Sequence, residues 1–402
     1  MARVLENIGK EILRKNGIPI PDFLVVGDIK EARIAADKIG YPVVIKALVP
    51  TGKRGKATAI KFAESSEEAE KIAEGILHTT VYHFPVELLL VEKKIDTSYE
   101  LYSSITFDTS RRLPIVIASS AGGIDIEKSV KTQSKKIIKQ YVDILEGFHL
   151  YKAKEIWSDL GLTGRTLQQA TTILWRLYKI FEKYDAYTVE INPLAVTSRG
   201  EIVAVSILMG IDDDALFRQP DLSDKVEEGS DRSWRPLTDL EKKMITVDKQ
   251  ESYRGTARYT EMEGGNIGFF CGGGGGSLLA YDALLRFGGR PANYTEFGGN
   301  PPEAKVSGIV KGVLSKPGIK GFFMATSITN NTQTDVVASG VVKAFQEMNV
   351  DPEKFPIVVR LPGVNDAVAK RIFIEAGIEY YGDEITIEDA AQIMAEKMKK
   401  AC

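Results

Sequence analysis

The sequence predicts an α/β protein in two parts, a mixed α+β first half followed by a doubly wound parallel sheet, and three observations carry that prediction. From Asn266 onward, short apolar runs alternate regularly with amphipathic segments of helical length. Up to about residue 215, apolar runs instead face each other across tight turns. Between roughly Arg218 and Gly255 the chain turns polar, with Asp, Glu, Ser, Arg, Lys and prolines and no sustained period, as a domain connection does.

In chain order, residues 4–16 and 29–39 carry the spacing of amphipathic helices, and residues 41–46 form a strand ending on Lys46. Residues 103–107 and 114–119 flank the turn Asp108-Thr-Ser-Arg-Arg, while 187–190 and 194–197 precede Ser198-Arg-Gly, so antiparallel hairpins are expected. Domain limits are placed at 1–236 and 237–402. In the second domain the apolar runs are 266–271, 292–296, 319–325, 356–361 and 378–381, each followed by a helical pattern such as 335–348 or 387–400. Runs without alternation suit parallel strands buried on both faces. Ligands are then expected where the strands' carboxyl ends meet helix N-termini.

A chain of 402 residues exceeds one compact core, which agrees with two domains. Hydrophobic residues at 44% and charged residues at 27% describe a chain that folds. A net charge of −3, from 52 Lys and Arg against 55 Asp and Glu, gives no field that favours nucleic acid or an anionic membrane. Small-molecule ligands are expected instead. The two cysteines, Cys271 in an apolar run and Cys402 at the terminus, have no metal-ligand spacing and fit a reducing cytoplasm. No apolar stretch approaches the roughly 18 residues that span a membrane, and the amphipathic N-terminus does not read as an export signal.

Several segments carry chemistry. Lys46 is followed by Thr51-Gly-Lys-Arg-Gly-Lys56, where glycines let the backbone approach a polyphosphate and cations neutralise it. The alternative is a solvated basic hairpin. Glu92 ends an apolar strand, with Glu100 shortly beyond, and either carboxylate suits a ribose. Glu190 and Asn192 are two residues apart, so they project from one face of a strand as oxygen ligands for Mg²⁺. Each carboxylate taken singly also reads as ordinary surface charge.

Together these segments resemble, in order and spacing, the nucleotide-binding β subunit of the succinyl-CoA synthetase family. The matching segments include Lys46, Gly52-Lys-Arg-Gly-Lys56, Val91-Glu92, Glu100-Leu-Tyr, Gly122-Gly-Ile-Asp-Ile-Glu-Lys128, Glu190-Ile-Asn-Pro-Leu and Asp214-Ala-Leu-Phe-Arg-Gln-Pro-Asp221. Gly265-Asn-Ile-Gly268, Gly288-Gly-Arg-Pro-Ala-Asn293 and Val358-Val-Arg-Leu361 continue the match through the second half. The resemblance implies an ATP-grasp domain followed by a flavodoxin-like CoA-ligase domain. It implies that Lys46, Gly52, Lys53, Arg54 and Gly55 meet the phosphates of ATP or GTP, with Arg54 also catalytic. Glu92 and Glu100 would hold the base-and-ribose side, Asn192 would serve Mg²⁺, and Glu190 would face an active histidine on an α-type partner. In this family that histidine is phosphorylated, passes the phosphoryl group to the acid, and the acyl phosphate is attacked by CoA bound mainly on the partner. The histidines here, at positions 78, 83 and 149, lie beside none of these motifs, which agrees with a partner histidine in a heterodimer or dimer of heterodimers. One position departs from the pattern: the second metal ligand, usually Asp, is Ser206, leaving Asp212, another oxygen or an extra water to compensate, or a chain that is partly a scaffold.

The acid is addressed by two loops. Cys271-Gly-Gly-Gly-Gly-Gly-Ser277 opens a helix and suits either an anion or close packing. Ser327-Ile-Thr-Asn-Asn-Thr-Gln-Thr-Asp335 adds Asn330, Asn331 and Thr332 where succinyl-CoA synthetases are glycine-rich. With Gly299 before it and Arg360 after it, this loop looks like the citrate-binding part of ATP-citrate lyase and of citryl-CoA synthetase. Arg360 suits two-point capture of a carboxylate. The alternatives are a succinate enzyme with an altered loop, and Asn and Thr that only cap the following helix.

Overall fold

The early strands build antiparallel sheets, and two of them, Val43–Ala47 and Leu89–Lys93, are buried along nearly their whole length. The computed structural model describes residues 2–51, 59–122, 137–230, 235–250 and 253–401. They fall into two units, Met1–Pro236 and Leu237–Cys402.

In the first unit, strands Phe23–Val26, Leu89–Lys93, Val43–Ala47 and Ile60–Ala63 form one antiparallel sheet in that order. Helices Ile29–Ile39 and Ser66–Ile76 cover one face. Each starts on a side-chain cap: Asp28 accepts from the Glu31 amide and Ser65 from the Glu68 amide. Val43, Ile45, Ala47, Leu89 and Val91 point into this helix-covered core. The alternate residues Lys46 and Glu92 therefore point to the opposite face.

A second antiparallel sheet runs Ala2–Val4, Ile207–Ile211, Ala186–Val196, Tyr99–Asp108, Leu113–Ser119, Ile137–Tyr141, with Ile202–Ala204 also on Ala186–Val196. The expected runs 187–190 and 194–197 are thus one strand that turns back on Ile202–Ala204. Its pairing with Tyr99–Asp108 shifts register between Ile191 and Leu194, at Asn192 and Pro193, where proline has no amide to donate. Helix Gly164–Lys183 buries Leu174, Leu177 and Tyr178 in a common core with Val189, Ile191 and Trp157.

In the second unit the parallel order is Asn293–Gly298, then Ile267–Phe269 with Cys271–Gly272, then Gly321–Ala325, Ile357–Arg360 and Tyr380–Tyr381. Numbered from the first parallel strand this is 2-1-3-4-5, the flavodoxin-like arrangement. An additional strand, Thr256–Glu261, lies antiparallel on Asn293–Gly298. Phe269, Phe270, Phe322 and Phe323 fill the space under the helices from both faces. No described helix is long and apolar enough to cross a membrane.

Candidate functional site

The N-terminal helix Glu6–Lys15 buries Gly9, Ile12 and Leu13, as its amphipathic pattern dictates, but it also buries Glu6 and Lys10 on the same stripe. These two charges meet Lys46 and Glu92 from the small sheet. Lys46 Nζ lies 2.7 Å from Glu92 Oε1 and 3.0 Å from Glu6 Oε1, and donates to the Val205 carbonyl at 3.1 Å. Lys10 donates to the other oxygen of Glu92 and sits 3.5 Å from Glu6. Two carboxylates and two ammonium groups thus form a neutral buried cluster, the arrangement that offsets the desolvation of each charge. Burial, then the nearby Lys46 charge, hold the Lys10 pKa below its ordinary value against the opposing pull of Glu92 and Glu6.

Lys46 joins the small sheet to the metal-ligand candidates of the large one. Next to its acceptor Val205 stands Ser206, whose carbonyl accepts from the Asn192 amide at 3.2 Å. The Asn192 side chain donates to Glu190 Oε1 at 3.4 Å, and Tyr102 donates to Glu190 Oε2 at 3.2 Å. Tyr102 also contacts Ser104 Oγ at 3.0 Å. Burial and the Glu190 charge push the Tyr102 phenol far above its usual range, so it remains a hydrogen-bond donor. Glu190, Asn192 and Ser206 offer a carboxylate, an amide oxygen and a hydroxyl, oxygen chemistry that suits a hard divalent cation retaining several waters. Among the described residues no group of three or more His, Cys, Asp or Glu could hold a metal. Asp212 does not fill the gap left by Ser206: it lies beyond strand Ile207–Ile211, roughly 20 Å along at about 3.3 Å per residue, where it caps the Asp214 amide.

Glu92 and Glu100 have different surroundings. Glu92 is sealed from solvent with one oxygen toward each lysine. Glu100 is half-buried on strand Tyr99–Asp108, and burial raises its pKa. Gly52, Lys53, Arg54 and Gly55 lie outside the described residues, as does most of the segment that begins at Gly122. The Asp214–Asp221 motif has a structural use. Arg218 grips Asp185 through two hydrogen bonds of 2.8 and 2.9 Å, and Gln219 donates to the Lys183 carbonyl at 2.9 Å.

In the second unit, the predicted acid-binding residues gather at the carboxyl ends of the strands. Gly299, with φ +65°, precedes Asn300, whose side chain accepts from the Gln333 amide at 3.1 Å and ties the two loops together. Thr329 pairs through its backbone with Pro362 and Val364, both at 3.0 Å. Gly363 is required beneath it, because φ is +143° and a Cβ would stand 2.2 Å from the Thr329 oxygen. Asn330 and Asn331 are exposed and Thr332 is buried. Helix Thr334–Glu347 starts without a side-chain cap, so capping is not the role of Asn330 or Thr332. Arg360 is almost fully buried, with Nε donating to the Ile385 carbonyl at 2.7 Å and Nη1 to the Thr326 carbonyl. In the glycine loop, a Cβ on Gly272 would stand 2.8 Å from Thr326, whereas Gly273 and Gly275 face open space. Close packing therefore explains only the start of that run.

Sequence reasoning missed Glu6, Lys10 and Tyr102. For the first two, the available signal was a charged i, i+4 pair on the apolar stripe of a helix. Tyr102 stood inside the recognised Glu100-Leu-Tyr segment.

Comparison with known proteins adds the following. The ATP-grasp domain family matches residues 3–196, and the ATP citrate lyase citrate-binding family matches residues 235–399. The succinate–CoA ligase [ADP-forming] subunit beta of Ignicoccus hospitalis is 37% identical over 398 residues, 99% of each chain. That of Staphylothermus marinus is 34% identical over 95% of each. Among solved structures, ATP citrate lyase from Methanothrix soehngenii in complex with citrate and coenzyme A superposes with a TM-score of 0.79 at 20% identity, covering 98% of this chain and 99% of that one. At that identity the likeness speaks for the fold.

Proposed function

Because the chain belongs to the family of ADP-forming succinate–CoA ligase β subunits, we propose that it is the nucleotide-binding subunit of an acid–CoA ligase that works with an α-type partner. The overall reaction converts ATP, a carboxylic acid and CoA to ADP, phosphate and an acyl-CoA. A phosphoryl group passes from ATP to a partner histidine and then to the acid, and the CoA thiol displaces phosphate from the acyl phosphate. In this chain, Lys46 delivers positive charge to the triphosphate by exchanging one of its protein acceptors for a phosphate oxygen. Arg54 and the glycines beside it complete the phosphate cradle. Glu100, open where Glu92 is sealed, meets the ribose. A divalent cation, Mg²⁺ by the hardness of the donors, would be held by Asn192 with Ser206 beside it and would neutralise phosphate charge. Glu190, fixed by Tyr102 and Asn192, faces the incoming histidine and holds its protonated ring nitrogen.

The acid is citrate. The observation that carries this reading is the exposure of Asn330 and Asn331 at the carboxyl edge of the sheet, beside the start of helix Thr334–Glu347, where their side-chain amides offer donors to a ligand with more oxygens than succinate. The match of residues 235–399 to the citrate-binding family supports it. A succinate enzyme is the second reading, favoured by the identity with curated succinate–CoA ligases along nearly the whole chain. The test is an assay of the complex reconstituted with its α partner, following ADP formation with each acid. Citrate should give the higher kcat/KM; equal or greater turnover with succinate overturns the citrate assignment, and turnover with neither acid overturns the ligase reading.

A further inference from the structure

The mechanism above leaves Lys10 without a task. It is fully buried, in contact with Glu92, 3.5 Å from Glu6, and 5.8 Å from the centre of the Phe23 ring. Four charges buried together are not an economical way to hold a helix onto a sheet, since well-packed apolar residues of similar volume do as well or better. Their arrangement makes sense through Lys46. Its Nζ already lies within 2.7 to 3.1 Å of Glu92, Glu6 and the Val205 carbonyl, held by two carboxylates and a backbone oxygen. To meet a phosphate it must release at least one of them, and the carboxylate it releases stays buried.

We infer that Lys10 is a positioning residue for the nucleotide site, the standing counter-charge that keeps Glu6 and Glu92 compensated when Lys46 turns toward a phosphate. This rests on the assignment of Lys46 to the triphosphate. Without Lys10, these groups keep two buried carboxylates against one lysine, Lys46, and the balance among them shifts by one negative charge. Both consequences oppose an anionic nucleotide: Lys46 is held more tightly by the protein, and the local potential repels the ligand.

The test is calorimetric titration of the full chain with MgATP, with a thermal melt of each protein. Lys10→Met is expected to weaken binding at least about tenfold, while Lys10→Arg, which restores the charge, remains within about threefold of wild type. Leu13→Ala, a buried position one turn along the same helix, serves as the control: it lowers the melting temperature and leaves affinity within about threefold. Should Lys10→Met not fold, Lys10→Gln removes the charge while keeping a donor for Glu92, and the same loss is expected. Affinity for MgATP unchanged in the charge-removing variant overturns the inference, as does an equal loss in Leu13→Ala. A wild-type chain that binds no MgATP overturns the nucleotide assignment as well, so the two failures are distinct.

Discussion

Lys46 and Glu92 lie on neighbouring antiparallel strands with Nζ 2.7 Å from Oε1, and both side chains are buried. Glu92→Gln would leave two buried ammonium groups sharing Glu6. Breaking a buried pair by removing one partner costs about 3–5 kcal/mol, and at about 2–4 °C per kcal/mol for a domain of this size the melting temperature should fall by on the order of 10 °C. Differential scanning calorimetry checks this; a shift of a degree or less would mean that the cluster is hydrated in solution.

Tyr102→Phe removes a side-chain donor to Glu190, leaving that of Asn192. A hydrogen bond to a charged group contributes about 1.5–3 kcal/mol, so partner phosphorylation should slow roughly 10- to 100-fold with the fold intact. Rapid-quench measurement of phosphohistidine formation gives the rate. An unchanged rate would show that Glu190 is not held in place by this phenol.

Much of the fold was legible because it rests on local signals. Helix Ile29–Ile39 begins on the Asp28 cap, and parallel strands such as Gly321–Ala325 announce themselves as unbroken apolar runs. Strand Thr256–Glu261 was overlooked although Ala257 and Tyr259 alternate with Arg258 and Thr260, because its partner Asn293–Gly298 lies across a helix and a glycine loop. The candidate site was legible as motifs but not as contacts. Nothing near Lys10 in the chain indicates that its counter-charge is Glu92, 82 residues away, and nothing near Arg360 indicates that backbone carbonyls of Ile385 and Thr326 take two of its five donors.

Glu100 offers a pH signature. Its pKa is raised by burial, so the folded chain holds this proton up to a higher pH than the unfolded chain does. Stability linked to Glu100 is therefore present below the unfolded carboxylate value, near about 4.3, and is lost as pH rises through the folded value. Glu100→Gln removes the cost of a half-buried charge, so the melting temperature of the nucleotide-free variant should exceed wild type at pH 7. The difference should shrink as the pH is lowered toward 4. In calorimetric titration the same variant should bind nucleotide more weakly; a variant that melts lower at pH 7 would contradict the assignment of desolvation as the dominant effect.

Gly363→Ala tests whether the acid loop is held by its neighbour. A Cβ would meet the Thr329 backbone at 2.2 Å, and φ of +143° is strained for any L side chain. The loop bearing Asn330 and Asn331 must then shift, and the expected outcome is a rise in KM for the acid of about tenfold or more, a loss of roughly 1.4 kcal/mol in binding, with nucleotide affinity unchanged. Asn330→Ala, which removes a donor without moving the backbone, should lower kcat/KM for citrate more than for succinate. Equal losses for the two acids would remove Asn330 from the determinants of specificity.

Ser206→Asp restores a carboxylate at the position that faces Asn192 across the strands. In the metal-free protein the added charge lies in the neighbourhood of Glu190 and should lower the melting temperature, because like charges at close range disfavour each other. A bound divalent cation reverses that balance, and cation affinity rises with the number of charged ligands. Added Mg²⁺ should therefore raise the melting temperature of the nucleotide-loaded variant more than that of wild type. The Mg²⁺ concentration for half-maximal turnover should fall by about tenfold, the scale on which single ligand-shell changes act. If Mg²⁺ stabilises the two proteins equally, the cation is not held at the Asn192–Ser206 edge, and the oxygen ligands must be sought on other residues of the first unit.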